Sequence, residues 1–568
     1  MVAFNLKTVF TIQVPERDGQ TTNHLINHDI VPMPPSRRTW GWLEFTGFFF
    51  ISEFCIGVWA GSAAMLGIGL AVWEVMVSGL IAGLLILAVG GATGWIGGEW
   101  HIGYTVLQRV IFGMLGSYIG IVIRIMLSII SFASQAWLGG LCMSTILSSW
   151  SHSFLTMENT LPESAHMVTR DFVGFVVFQF LSVPFLLIRP ERIINLVKVA
   201  NVITFFAMLG ITIWATKKGG YGPLISQGSA YTTFSRPWAW FYSITSTLGS
   251  ISAGLINQAD FTRFTKKQGR QIPGLALCLY LPGVAVPMMG LLTASATVNI
   301  WGVPYWNPVE ILLQWMIDDY SSKARAAAFF CGFGFVCSQL ALNTVGNGFA
   351  AGMDMAGLFP KYINIRRGSL ICAALSWVCH PWLYYNTSSV FIAVMASFSV
   401  FLAPLTGIMI TDYFLLRKQK IELSALYTLS PEGSYYFWHG FNWRTIVVWI
   451  VVFVPAMPGM IATVNTSVKV SQGALYYYYG NYLFGFLEAG ALYYAIVRLF
   501  PPPGLGKQDT HDIYGTFTPE EAAKKGMVPF SPSTEFKVSD AAESLADKEE
   551  NAIQTVAIST GENMVVRV

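Results

Sequence analysis

The sequence predicts an all-α polytopic membrane protein with twelve transmembrane helices. Three observations carry that prediction. Hydrophobic residues make up 54% of the 568-residue chain and charged residues 11%, against roughly 25% charged in soluble domains. Apolar runs of about 18 to 28 residues, long enough to span a bilayer, recur between Trp42 and Val497. Lys and Arg gather on alternate loops between these runs, as cytoplasmic loops require.

The elements follow in order. A polar segment, 1–41, holds Pro32, Pro34, Pro35, Arg37 and Arg38. It lacks the short apolar core of a cleavable signal, so the first span is expected to direct insertion. Spans are predicted at 42–70, 75–96, 117–146, 172–188, 193–216, 237–256, 272–298, 326–353, 368–385, 388–411, 445–463 and 473–497, a transporter domain over 42–499. The ninth and tenth come from one apolar stretch cut near Asn386. From 500 to 568 the chain turns rich in Glu, Asp, Lys, Ser and Thr and is expected to form a disordered cytoplasmic tail. Its Lys507, Lys524, Lys525, Lys537 and Lys548 are candidate ubiquitin acceptors.

With the N-terminus inside, the cytoplasmic loops carry 15 basic residues, among them Arg189, Arg192, Arg263, Lys361 and Arg417. The outer loops carry 6, namely Lys217, Lys218, Arg236, Lys323, Arg325 and Lys469. Both termini are therefore expected in the cytoplasm, and the expected location is the plasma membrane.

Several function classes fall away. A net charge of +3, with bases scattered between apolar runs, gives no nucleic-acid surface. The seven cysteines lie in apolar runs without CxxC pairs or histidines at metal-ligand spacing and read as buried free thiols. No P-loop, HExxH or GxSxG motif occurs, which argues against an enzyme and against an ATP-driven pump. No cofactor is expected.

An ionisable side chain inside a span costs roughly 2.5 to 3.5 kcal/mol on insertion scales, so each one is a functional candidate. Glu53 lies in the middle of the first span, in SEFCIGVWAGS, and reads either as a substrate- or proton-binding group or as a hydrogen-bonded structural acid. Glu44 and His380 fall near interfaces, and Glu488 in the last span reads as structural. Uncharged polar faces are the second signal, because amides suit a planar nitrogenous solute. Helical spacing puts Ser131, Gln135 and Leu138 on one face of the third span, and Gln339, Asn343 and Asn347 on one face of the eighth. Such amides also join helices without binding anything. Gly57 and Gly61 in the first span, and Gly249, Ser250, Ser252 and Gly254 in the sixth, mark candidate unwound stretches at matching positions of two five-helix halves, the pointer to an inverted-repeat secondary transporter with a midplane site.

Four segments carry a resemblance: HDIVPMPPSRRTWGWLEF, GGEWHIGYTVLQRVIFG, NQADFTRF and FPKYINIRRG. In sequence and order they resemble nucleobase-cation-symport family one, in particular its fungal Fur-like branch of uracil, allantoin, uridine and thiamine permeases. The resemblance implies a LeuT-like fold of five plus five inverted helices with two additional ones, and a site between the first, third, sixth and eighth. Gln135 matches the family's third-helix Gln, whereas Ser131 stands where family members place an aromatic ring. Asn347 matches the eighth-helix Asn that binds the solute. Ala341, Leu342 and Asn343 occupy a stretch that holds hydroxyls in sodium-coupled relatives, so a proton is the expected coupling ion and sodium is not favoured. The candidate solute contacts are thus Gln135, Asn347, Ser131, Asn343 and Glu53, and the candidate cation-coupling groups Glu53 and Ser338. The expected activity is import of a nucleobase, hydantoin, nucleoside or vitamin-like heterocycle. A solute receptor without flux and a permease for thiamine-type cations are the alternatives.

Overall fold

The computed structural model describes residue 25 and residues 30–188, 193–228, 235–385, 387–465 and 467–530. Arg189, Arg192, Asn386, Lys537 and Lys548 lie outside the described residues. The described chain is helical, with three isolated β-bridges and no strand among the described residues.

Among the described residues, nine helices are long and apolar enough to cross a membrane, and a tenth crossing is the pair Trp42–Glu53 and Ile56–Ile68, bent by 51°. These match ten of the twelve expected spans. The sixth, Arg236–Ile256, is too rich in Ser and Thr to qualify on apolarity. The ninth is a helix of only 11 residues, Ile365–Leu375, followed by the 3-10 turns Ser376–Cys379 and Pro381–Tyr385. Twelve is therefore not reached on length and composition. Arg38, ahead of the first span, bonds Glu521, beyond the last, at 2.8 Å. The two ends of the bundle thus lie on one side, which requires an even number of crossings.

The breaks explain where the site forms. In the first span the helix stops at Glu53; Phe54 leaves helical geometry and Cys55 is extended. The freed Phe54 carbonyl accepts a 2.6 Å bond from Ser338 Oγ on the eighth span, which satisfies it away from water. The break thus precedes Gly57 and Gly61. The expected unwinding at Gly249 to Gly254 does not occur, because Arg236–Ile256 is continuous. Gly249 serves close packing instead: a Cβ there would stand 2.4 Å from the Met395 carbonyl of the tenth span. The sixth span is interrupted later, at Asn257, before the turn of helix Gln258–Thr262. The eighth span carries a π-helical turn over Asn343–Gly348, a distortion frequent at functional sites.

The expectation of disorder from residue 500 needs correction for residues up to 530. Phe517 is buried against Trp100, Lys525 Nζ bonds Glu99 at 2.8 Å and lies 4.2 Å over the Trp100 ring, and Pro519–Lys524 forms a short helix with a Thr518 cap. Composition pointed to disorder because it counts the segment alone, whereas its few apolar and charged groups find partners on the bundle. Burial, with Arg38 beside it, pushes the His101 imidazole down to about 3. It is therefore neutral, and its Nδ1–H donates to the Arg263 carbonyl at 3.1 Å.

Candidate functional site

A cavity of about 310 Å³ lies among the first, second, third, sixth, seventh, eighth and tenth spans. Its volume falls at the lower end of small-molecule sites. Glu53, Ser131, Gln135 and Asn347 all line it, together with Arg124, Ser128, Ser246, Asn257 and Gln258.

Glu53 is only 8% exposed, and among the described residues no basic side chain forms an ion pair with it. It ends the first half-helix, where backbone geometry breaks, and its carboxylate faces Gly283 of the seventh span: a Cβ there would stand 3.5 Å from Oε2. Gln135 lies against the other side of the break. Its Nε2 would be 3.2 Å from a Cβ at Gly57, and its Oε1 has no hydrogen-bond partner. A side chain at Gly57 would press on the Gln135 amide.

The eighth-span amides divide their work. Asn347 donates to Asn343 Oδ1 at 2.9 Å, and Asn343 in turn donates to the Phe132 carbonyl at 3.2 Å. Asn343 is therefore not on the cavity wall, contrary to the expected row; it anchors Asn347 to the third span. Ser338 and Gln339 do not line the cavity either, and Ser338 acts at the first-span break. Helical spacing put Gln339 and Asn343 on one face with Asn347, but the π turn at Asn343–Gly348 shifts the register of that face. Leu138 is fully buried in the apolar core rather than at the site. With no ring at Ser131, the aromatic faces come from elsewhere: Phe48 and Phe49 of the first span, Phe261, and Phe391 and Phe398 of the tenth all line the cavity.

Sequence reasoning missed the charged cluster beneath this wall. Arg124, wholly buried in the third span, donates from Nε to Asp354 Oδ2 at 2.7 Å and from Nη1 to Asp260 Oδ2 at 3.0 Å. Its guanidinium stands 4.7 Å from the Tyr104 ring centroid, and the Tyr104 amide donates to Asp260 Oδ1 at 2.8 Å. Asn257, with its amide turned to satisfy both sides, accepts from Nη1 and Nη2 at 3.2 Å and donates to the Ala253 and Gly254 carbonyls at 3.0 and 2.9 Å. The signal was available, since an Arg within an apolar span is as costly as a Glu.

Of the remaining candidates, Glu44 caps its own helix, accepting from the Gly41 amide at 2.8 Å. Glu488 accepts from Tyr477 on an exposed face, and His380 is exposed. Among the described residues no group of three His, Cys, Asp or Glu could hold a metal, and all seven cysteines are free.

Comparison with known proteins places this geometry. Residues 32–485 match the family described as "Permease for cytosine/purines, uracil, thiamine, allantoin". The thiamine transporter THI72 of Saccharomyces cerevisiae is 39% identical over 529 residues, covering 93% of this chain and 88% of that protein. Nicotinamide riboside transporter 1 of the same organism is 40% identical, with the same coverage. Among solved structures, Mhp1, a nucleobase-cation-symport-1 family transporter in a closed conformation with bromovinylhydantoin bound, superposes with a TM-score of 0.66 at 20% identity, over 88% of this chain and 99% of that one. The fold is accordingly the LeuT-like one. The chain belongs to nucleobase-cation-symport family one, the permeases for cytosine/purines, uracil, thiamine and allantoin, and is a membrane transporter rather than an enzyme.

Proposed function

We propose that this permease imports a cationic aromatic heterocycle across the plasma membrane, with Glu53 as counter-ion to the solute's charge and Gln135, Asn347 and Ser131 holding its planar edge. The observation that carries this reading is an acid on the cavity wall without a basic partner, while the Arg on the same wall is already engaged by two carboxylates. A buried carboxylate gains most from a cation that arrives with its own ring and leaves water behind. Phe391 and Phe398 add faces on which a charged ring can lie. The two relatives above are named for thiamine and nicotinamide riboside, and both solutes carry a fixed positive charge on a ring nitrogen.

A carboxylate paired with the solute cannot carry the co-transported proton in the same step. Proton symport, the coupling expected from the sequence, then falls to another group. Glu53→Gln tests the assignment: uptake of cationic heterocycles should fall at least tenfold at normal surface abundance, with neutral ring solutes unaffected. Equal loss for charged and neutral solutes, with a flattened dependence on external pH, would reassign Glu53 to proton coupling. The basic bias of the loops supports cytoplasmic termini. Of the described tail lysines, Lys507 and Lys524 are exposed and open to ubiquitin.

A further inference from the structure

We propose that Gln258 recognises a hydroxyl group on the solute's flexible arm, so that the site selects alcohol-bearing heterocycles. This inference rests on the reading of the cavity as the solute site. Gln258 opens the short helix Gln258–Thr262 just beyond the sixth-span interruption, lines the cavity, and is 6% exposed. Its Nε2 donates to the Gly254 carbonyl at 2.7 Å, which fixes the amide plane. Its Oε1 is buried and has no hydrogen-bond partner.

The surroundings do not close that deficit. Gln258, Thr262 and Gln271 converge on Gly94 of the second span, where a Cβ would meet them at 3.4, 3.1 and 3.5 Å. Thr262 Oγ1 and both polar atoms of Gln271 are themselves buried without partners. This corner of the bundle therefore holds more polar atoms than its own contacts use, next to the cavity and on different helices from Glu53. A buried carbonyl oxygen without a donor is costly, and a site built around one rejects ligands that lack the donor. Glu53 takes the charge and Gln135 and Asn347 the planar edge. What remains for a neutral acceptor at the interrupted sixth span is an O–H on a side arm, a hydroxyalkyl or sugar group. Uncharged ring solutes without such an arm leave Oε1 unsatisfied.

The test uses the full-length transporter and matched solutes as competitors of labelled uptake. One pair is an aromatic cation with a hydroxyalkyl arm and its analogue with hydrogen in place of the hydroxyl. The other is a neutral nucleoside and its free base. The wild type should prefer the hydroxylated cation roughly tenfold, and Gln258→Met should bring the two cations to equal affinity. Gln258→Glu, which keeps an acceptor oxygen, should retain the preference if the Met variant does not reach the membrane. Measurable and equal competition by both cations in the wild type overturns the assignment, and so does a preference that survives Gln258→Met. A hydroxyl preference seen only with the neutral pair, with cations ignored, overturns the Glu53 reading while upholding Gln258.

Discussion

Two buried acidic sites, one on the cavity wall and one behind it, solve the same problem in opposite ways. Asp260 and Asp354 share Arg124, which also receives the Asn257 oxygen and the Tyr104 face. Glu53 has no basic partner among the described residues and sits at a backbone break. In a low-dielectric interior an ion needs compensation from the protein or from something that enters. The first site brings its compensation along and joins the third span, the eighth span and the end of the sixth. On the function proposed above, the second leaves it to the solute, so that one acts as a cross-link and the other as a receptor.

Removing the shared base is the strongest way to break this contrast. Arg124→Leu leaves two buried carboxylates uncompensated and should cost about 3–5 kcal/mol, seen as lost surface protein and a collapsed melting transition after detergent extraction. Glu53→Gln takes no partner from any protein group. It should leave abundance and melting temperature near wild type while uptake of the cationic solute falls. If Arg124→Leu melts like the wild type, or Glu53→Gln fails to fold, the roles of cross-link and receptor are wrongly assigned.

The contrast also shows what was legible beforehand. Apolar length gave ten of the spans, and Glu53, Gln135 and Asn347 were found because a polar group in an apolar run is conspicuous on its own. Asn343 was misassigned because the π turn over Asn343–Gly348 breaks the spacing from which faces are read. Gly57 and Gly61 pointed to a break in the first span, but its place at Phe54 is set by a bond from Ser338, which is 284 residues away in the chain. Asp260 became meaningful only when folding placed it 3.0 Å from Arg124, 136 residues earlier in the chain.

A milder break lies at the end that carries both termini. There the ion pairs are only partly buried: Glu521 keeps 34% of its side chain exposed while bonding Arg38, and Lys525 and Glu99 keep about 15% each. Screening by water lowers the worth of such pairs, so the tail should matter less than Arg124. Truncation after residue 530 should leave melting and transport unchanged. Truncation after residue 505 removes Phe517 from Trp100 and should lower the melting temperature by a few degrees with partial loss of uptake, as a deficit of about 1–2 kcal/mol implies. Equal behaviour of the two truncations would show that the docked segment contributes nothing.

The smallest expected effect sharpens the comparison outside the membrane-spanning segments. Glu310, near the start of helix Pro308–Asp318 between the seventh and eighth spans, is another acid without an ion pair among the described residues. Burial first, and nearby Asp171 second, push its carboxyl up from 4.5 to about 7. Because no solute is expected there, its outlet is the proton rather than a cation. The raised value means that the folded protein holds this proton more tightly than the unfolded chain does. Its stabilising contribution is thus complete below pH 4.5 and is lost as pH rises through about 7. Glu310→Gln removes that dependence: melting temperatures of wild type and variant should agree near pH 4.5, and the variant should melt higher near pH 8. A wild type whose melting temperature does not fall between those pH values relative to the variant would place a hidden base beside Glu310, and it would then belong with Asp260 and Asp354 rather than with Glu53.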